Sequence, residues 1–468
     1  SPAPALLAPV PSRNPPDAGD RMHTASERRP RLPEQPIDRL IGPLERFMHV
    51  EAAAGIVLLA CTAIALVLAN SPLSATYLHF WETEAGFHLG SIRVSHTLHH
   101  WINDGLMALF FFVVGLEVKR ELVLGELRDP QRAALPIVAA IGGMLAPAAI
   151  YLAFHAGTPA QRGWGIPMAT DIAFVVGCMA VLGSRIPHGL RIMILTLAIA
   201  DDIGTILVIA LGYSTGIHLV PLLVGAFDLV LVVMLAYIGI RSFGIYTLVG
   251  LLVWFAFQES GVHATIAGVI LGLLTPARPH LTRASFARFL EHAAERRPPS
   301  DGATDAGDRS ASVRMLRQAA RETVSPLEYL ESTLHPWVGF VVMPVFALAN
   351  AGVILHLASF TEPVAVAVAA ALLIGKPLGI VLFSWIAVRV GLAHLPAGVG
   401  WTALAGGGIL AGIGFTMALF VAGLALDGTA LEAAKVGIIA GSAVSAALGL
   451  AVLVRALPAS AGRSTARS

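Results

Sequence analysis

Residues Ala198–Gly204 read AIADDIG and lie inside the apolar run from Ile192 to Tyr213. Two adjacent carboxylates in such a run decide how the chain is read. An ionised acid near the centre of a bilayer costs at least ~2.5–3.5 kcal/mol on insertion scales, so an intramembrane Asp pair marks a functional site by default. Neighbouring helix positions point about 100° apart. One of Asp201 and Asp202 can therefore face a water-filled cavity while the other faces a partner inside a helix bundle. The candidate partner is Lys376, at the centre of the apolar run Val364–Val388, which carries no other charge. This pattern reads as a cation and proton site; the bland alternative is a structural polar pair.

The rest of the chain agrees with a membrane setting. Of 468 residues 56% are apolar and 13% charged, against ~25% charged in a soluble globular domain. The expectation is an all-α polytopic membrane protein. The net charge of +1 gives no basic surface for nucleic acid, so no nucleic-acid partner is expected. Cys61 and Cys178, the two cysteines, both fall inside apolar runs, which rules out a disulfide framework or a thiolate metal centre.

At ~20 apolar residues per span, twelve spans can be placed, at 48–69, 97–124, 133–155, 164–183, 190–213, 218–240, 244–258, 262–275, 332–355, 364–388, 401–426 and 430–454. Between the first two, Phe87–Leu89 and Ile92–Val94 flank Gly90-Ser91 and predict a small β-hairpin with a two-residue turn. Arg and Lys concentrate in alternate connections, and only Arg93, Arg162, Lys376 and Lys435 fall elsewhere. By the excess of positive charge in cytoplasmic loops, both termini are cytoplasmic and the hairpin is extracytoplasmic.

The organisation expected is thus a disordered N-terminal tail (1–38), rich in Pro and Arg and without a signal-peptide core, and a membrane domain of eight spans (39–275). A long cytoplasmic loop (276–331), four further spans (332–455) and a C-terminal tail (456–468) follow. The ends of the long loop, 282–294 and 312–323, can form short amphipathic helices; a solvated linker is the plainer reading.

Two spans carry helix breakers. Gly165, Pro167 and Thr170-Asp171 interrupt the fourth, and Gly406-Gly407-Gly408, Gly412 and Gly414 weaken the eleventh. Irregular backbone at membrane depth survives only inside protein or beside a cavity, and broken spans in corresponding positions of two halves point to a transporter's binding site. With spans 3–5 and 10–12 as inverted repeats, the fourth and eleventh correspond. Two broken helices bring four dipole ends to the midplane; Asp171 suits the positive ends and Lys376 the negative ones. Oxygen donors suit hard cations such as Na⁺ or Li⁺, with Thr170 and freed carbonyls completing the shell of Asp201 and Asp202. Cation and protons would compete for the same carboxylates. No resident cofactor is called for, because the ions are cargo.

Other polar positions have two readings each. Glu117 and Glu121 flank Arg120 at one end of the second span, either as a solvated ion-paired helix end or as a sensor. Asp104, near the other end, reads as interfacial. His263, beside Gly261, is a helix-end hydrogen-bonding residue or a pH switch. Lys376 and Asp171 either support the fold or take part in the ion cycle.

Eight ordered motifs carry a specific resemblance: WINDGLMALFFFVVGLEVKREL (101–122), ATDIAF (169–174), LAIADDIG (197–204), SGVHATIAGV (260–269), LHPWV (334–338), FALANAGV (346–353), IGKPLGI (374–380) and GIGFTMALF (412–420). Over about 48–455 the chain resembles the bacterial NhaA family of Na⁺/H⁺ antiporters, whose fold contains inverted repeats. The resemblance implies crossing broken fourth and eleventh helices, an inner-membrane location, and electrogenic exchange in which more proton charge enters than sodium charge leaves. It implies that Asp201 and Asp202 carry the ion, that Asp171 and Lys376 compensate dipoles, and that Lys376 also pairs with Asp201. A homodimer assisted by the outer hairpin is implied too, as is a pH-sensing cluster of Glu117, Arg120, Glu121, Glu331 and His335. Three features depart from the family pattern: Ser332 where a His commonly stands, the length of 276–331, and Asp228 in the sixth span.

Competing classes fare worse. An intramembrane aspartyl protease needs its two acids on facing helices, which adjacent residues on one helix cannot supply. A non-transporting sensor would not need an intact Asp pair. A Na⁺-coupled solute symporter also uses broken helices and is the runner-up, although no determinant of an organic substrate is visible.

Overall fold

A computed structural model describes residues 51–89, 92–214, 216–240, 242–279, 285–288, 291 and 322–457. The expected N-terminal tail, most of the 276–331 loop, including most of the stretches 282–294 and 312–323 read as short amphipathic helices, the turn Gly90-Ser91 and the C-terminal residues from 458 lie outside the described residues.

The chain folds into helices whose ends carry the expected stop and start chemistry. Asp129 Oδ1 accepts the N–H of Gln131 at 3.0 Å, with Pro130 at the first helical position of the helix Pro130–His155. Proline there costs no hydrogen bond, because that N–H has no partner within the helix. Ser325 and Glu328 form a reciprocal capping box at the start of the helix Pro326–Asn350, which satisfies two orphan donors. That helix begins before the expected position 332 because this cap lies upstream of the apolar run.

Nine helices among the described residues are long and apolar enough to cross a membrane, or up to eleven if each of two bent pairs is one span. The bent pairs are Ala53–Ala69 with Ser74–Glu82, at 114°, and Trp401–Ala411 with Phe415–Ala425, at 47°. Thr265–Leu274 is apolar but has ten residues, or about 15 Å of helix, half a hydrocarbon core. The helix Ser74–Glu82 was not expected. It is amphiphilic and exposes most of its surface, so hydropathy alone gives it no signal.

Strands β1 (Glu84–Leu89) and β2 (Ile92–Thr97) pair antiparallel from Glu84 opposite Thr97 to Leu89 opposite Ile92. Each is three residues longer than the sequence reading. The added residues continue the ladder to the start of the next helix, where Thr97 Oγ1 caps the N–H of His100 at 3.2 Å.

Burial sorts the helices into interior and periphery. His188–Gly212, the helix of the Asp pair, has 61% of its most apolar window buried, whereas Leu219–Ile238 has 17% and exposes Leu223, Phe227 and Val230. An exterior this apolar is stable only against lipid, and the protein is a membrane protein. The most extensive helix–helix contact among the described residues joins Pro130–His155 to Pro363–Arg389. Glycines make it close: a Cβ on Gly375 would stand 2.7 Å from Pro147 Cα, and one on Gly379 2.8 Å from Ala146 Cβ.

Candidate functional site

The two segments with sequence breakers are interrupted and meet at their interruptions. The first starts as a 3₁₀ helix, Pro159–Met168, turns extended through Ala169 to Asp171, and resumes as the α-helix Ile172–Leu182. A 3₁₀ run of ten residues is unusually long. It is tied by neighbouring tyrosines: Tyr213 Oη accepts the N–H of Gly165 at 3.1 Å and donates to the Arg162 carbonyl at 2.8 Å, while Tyr151 Oη donates to the Ala160 carbonyl at 2.9 Å. The second segment breaks at Gly412–Gly414. Asp171 N–H donates to the Ile413 carbonyl at 2.7 Å, joining the two breaks directly.

Asp171 is buried at this junction. Its Oδ1 accepts the N–H of Phe174 at 3.2 Å, and its Oδ2 accepts the N–H of Thr416 at 3.1 Å and the Thr416 hydroxyl. One carboxylate therefore sits on the first turns of two helices, where the unsatisfied N–H groups carry the positive dipole ends. At the opposite polarity, Lys376 Nζ donates to the Met168 carbonyl, at the end of the 3₁₀ segment. Thr170 Oγ1 lies 3.0 Å from the Ala411 carbonyl, at the end of the other first half.

Lys376 and Thr170 also meet Asp201. Lys376 Nζ is 2.6 Å and Thr170 Oγ1 2.7 Å from Asp201 Oδ2. All three residues have zero exposure, so the ion pair is shielded from solvent screening. A π-helical turn, Ala371–Gly375, precedes Lys376; such turns recur at functional positions because they re-aim the next side chain.

Asp202 points elsewhere, as the 100° step requires. It lines a cavity of about 1120 Å³ together with Thr170, Asp171, Glu117, Arg120, Glu121, Glu331 and His335. Asp201 Oδ1 and Asp202 Oδ1 are buried and take no hydrogen bond from any described residue. Among the described residues there is no group of three or more His, Cys, Asp or Glu side chains arranged to hold a metal. Any cation here would have to draw on hydroxyl and carbonyl oxygens besides the two carboxylates.

The five residues of the expected sensor cluster converge on the same cavity from two helices. Arg120 pairs with Glu331 and lies 3.6 Å from Glu121, while His335 Nε2 is 3.7 Å from Glu117 Oε1. Glu121 Oε2 further accepts the N–H of Glu126 at 3.1 Å. Asp104 and His263 stand apart from that cavity. Asp104 is 3.2 Å from His100 Nε2 and 3.3 Å from Gln258 Nε2, and His263 Nε2 is 3.0 Å from the Tyr213 carbonyl, a helix-end hydrogen bond. Asp228 is buried, outside both groups.

Two participants escaped the sequence reading. Thr416 contributes both a hydroxyl and an N–H to Asp171; its signal was a Thr just beyond the glycine break in GIGFTMALF. The Met168 carbonyl left no signal, because a backbone acceptor has no side-chain signature.

The chain matches the Na⁺/H⁺ antiporter 1 family over residues 45–453. It is 54% identical over 427 residues to a Na⁺/H⁺ antiporter NhaA of Rhodopirellula baltica, covering 91% of this chain and 97% of that protein. A Na⁺/H⁺ antiporter NhaA of Rhizobium meliloti is 50% identical over 423 residues, with 90% and 97% covered. A third, Na⁺/H⁺ antiporter NhaA 2 of Acidiphilium cryptum, is 48% identical over 431 residues, with 92% and 96% covered. A match of this length and identity makes the chain a membrane transporter rather than an enzyme, and it belongs to the Na⁺/H⁺ antiporter 1 family.

Proposed function

We propose that the protein is a pH-regulated, electrogenic Na⁺(Li⁺)/H⁺ antiporter that works by alternating access, with cation and protons competing for Asp201 and Asp202. The observation that carries this reading is the division of labour within the pair. Asp201 is neutralised by Lys376 at 2.6 Å, whereas Asp202 faces the cavity; each keeps one oxygen with no described partner. A cation entering the cavity meets Asp202 as the uncompensated charge. Departure of the cation leaves Asp202 to take one proton and the Asp201–Lys376 unit to take another, so more than one proton moves per cation and the exchange carries net charge.

Asp171 and Lys376 act as counter-charges to the helix ends they touch, and Lys376 doubles as part of the proton cycle. Glu117, Arg120, Glu121, Glu331 and His335 form the pH-responsive mouth of the cavity, which Ser332 also lines. The short apolar helix Thr265–Leu274 counts as the twelfth span, made long enough by the residues around it. Spans 3–5 and 10–12 form the inverted repeats, and the interrupted segments cross at Asp171 and Ile413. The chain lies in the bacterial inner membrane with both termini and the 276–331 loop in the cytoplasm. Two copies associate through the Glu84–Thr97 strands on the outer face. Family membership favours exchange over sodium-coupled solute symport.

The test is dissipation of a pH gradient in proteoliposomes on addition of Na⁺, Li⁺ or K⁺ from pH 6 to 9, for wild type and Asp202→Asn. The expected outcome is collapse of the gradient by Na⁺ or Li⁺ in the wild type alone, with the variant inserted and folded. Normal exchange by Asp202→Asn sinks the assigned site, and absence of exchange with every cation sinks the function.

A further inference from the structure

Thr205 lies one turn beyond the Asp pair on His188–Gly212, 1% exposed, and its hydroxyl has no hydrogen-bond partner among the described residues. A buried hydroxyl without a partner is costly, and on a helix it has an easy remedy, donation to the carbonyl four residues back. Other helical threonines in this protein take it: Thr62 donates to Leu58 at 2.8 Å and Thr247 to Phe243 at 3.0 Å. Thr205 does not. Its hydroxyl makes no bond to the Asp201 carbonyl four residues back.

Helix geometry says where the side chain lies. Taking Asp201 as the origin, Asp202 points about 100° around the axis and Thr205 about 40°, so the threonine falls in the sector between the two carboxylates, about 4.5–6 Å further along. The three buried oxygens on this helix that lack partners are Asp201 Oδ1, Asp202 Oδ1 and Thr205 Oγ1, and they occupy that one sector. On this helix the cavity is lined as far as Asp202 and not by Thr205. The hydroxyl therefore stands behind the carboxylates as seen from the cavity.

We propose that Thr205 supplies a neutral oxygen ligand to the transported cation, completing from the far side the shell that Asp201 and Asp202 begin. The proposal rests on the reading of that pair as the cation site. A hydroxyl oxygen suits a hard monovalent cation and changes no charge on binding it. Thr205 accordingly sets affinity, while the carboxylates and Lys376 set how many protons move.

The experiment is cation-dependent exchange in proteoliposomes with Thr205→Val, which keeps the shape and removes the oxygen, and Thr205→Ser, which keeps the oxygen. Thr205→Val is expected to raise the apparent KM for Na⁺ and Li⁺ by about three- to ten-fold, the factor that follows from losing one neutral oxygen contact, with the rate at saturating cation falling by less than about two-fold. Thr205→Ser is expected to restore the KM to within about two-fold of wild type. Equilibrium binding of ²²Na⁺ to the purified protein should weaken in parallel. Should Thr205→Val not reach the membrane folded, Thr205→Cys, similar in volume with a soft sulfur in place of the oxygen, is expected to show the same KM rise. A wild-type KM in Thr205→Val or Thr205→Cys overturns the proposal, as does a Thr205→Ser variant as impaired as the valine. Failure of the underlying site reading shows itself separately, as exchange that survives Asp202→Asn.

Discussion

Lys376 Nζ lies 2.6 Å from Asp201 Oδ2 with both side chains fully buried. Neither charge is screened, so each depends on the other far more than in a surface pair. Breaking a buried pair from one side costs about 3–5 kcal/mol, because the remaining charge is stranded, whereas removing both partners is often nearly neutral. Lys376→Met should therefore lower the thermal unfolding midpoint in detergent sharply, and Asp201→Asn added to it should recover most of the loss. A double variant no more stable than Lys376→Met would show that the two groups do not compensate each other.

Asp171 accepts hydrogen bonds from the first turns of both resumed helices, at Phe174 and Thr416. Asp171→Ala removes a helix cap and a charge-assisted bond together, an expected loss of about 2–4 kcal/mol. Thr416→Val retains its N–H and should cost only about 1 kcal/mol. Combining them should add almost nothing beyond Asp171→Ala, since the hydroxyl's acceptor is already gone. Additive losses in thermal unfolding would separate the two residues.

Glu331 pairs with Arg120 at the cavity, and Glu121 stands 3.6 Å from the same guanidinium. Replacing Glu331 with Gln leaves Arg120 a neighbour but removes one negative charge from the lining of the cavity through which the proposed function has the cation enter. The apparent KM for Na⁺ should rise by about two-fold at low ionic strength, and the difference should fade as an inert salt is added, because focusing by fixed charge is screened. A shift that persists unchanged at high ionic strength would mean that Glu331 acts through local structure.

Gly375 brackets Lys376 on the N-terminal side and packs against Pro147 of the helix Pro130–His155. An alanine there places a Cβ 2.7 Å from Pro147 Cα, which is backbone and cannot swing aside. Overpacking of this kind costs about 1–3 kcal/mol, and relief by helix separation draws Lys376 away from Asp201. Gly375→Ala should thus reduce both stability and exchange, while Gly423→Ala, where an added Cβ meets nothing within 4 Å, should leave the thermal midpoint within about 1 °C. Equal effects at the two glycines would remove the packing argument.

The amino-acid sequence alone determined the class of the protein and singled out the residues of its candidate site. Charge is so costly in lipid that Asp201, Asp202 and Lys376 could not be incidental, and Gly165, Pro167, Gly412 and Gly414 marked backbone that a straight helix does not tolerate. The run of eight motifs made the family legible, and six of them hold residues of the candidate site. Boundaries set by caps were less visible: Ser325 starts its helix upstream of the apolar run, and Ser74–Glu82 has no hydrophobic signal to read. Tertiary structure alone decided the pairings. Adjacent carboxylates on one helix are equivalent in sequence, and only the approach of Lys376 and Thr170 to one side of that helix makes Asp201 the paired acid and Asp202 the one that faces the cavity. The same holds for the Met168 carbonyl, for the joint between Asp171 and Ile413, and for the hydroxyl of Thr205. These depend on distances between segments remote along the chain, which packing fixes and local sequence does not encode.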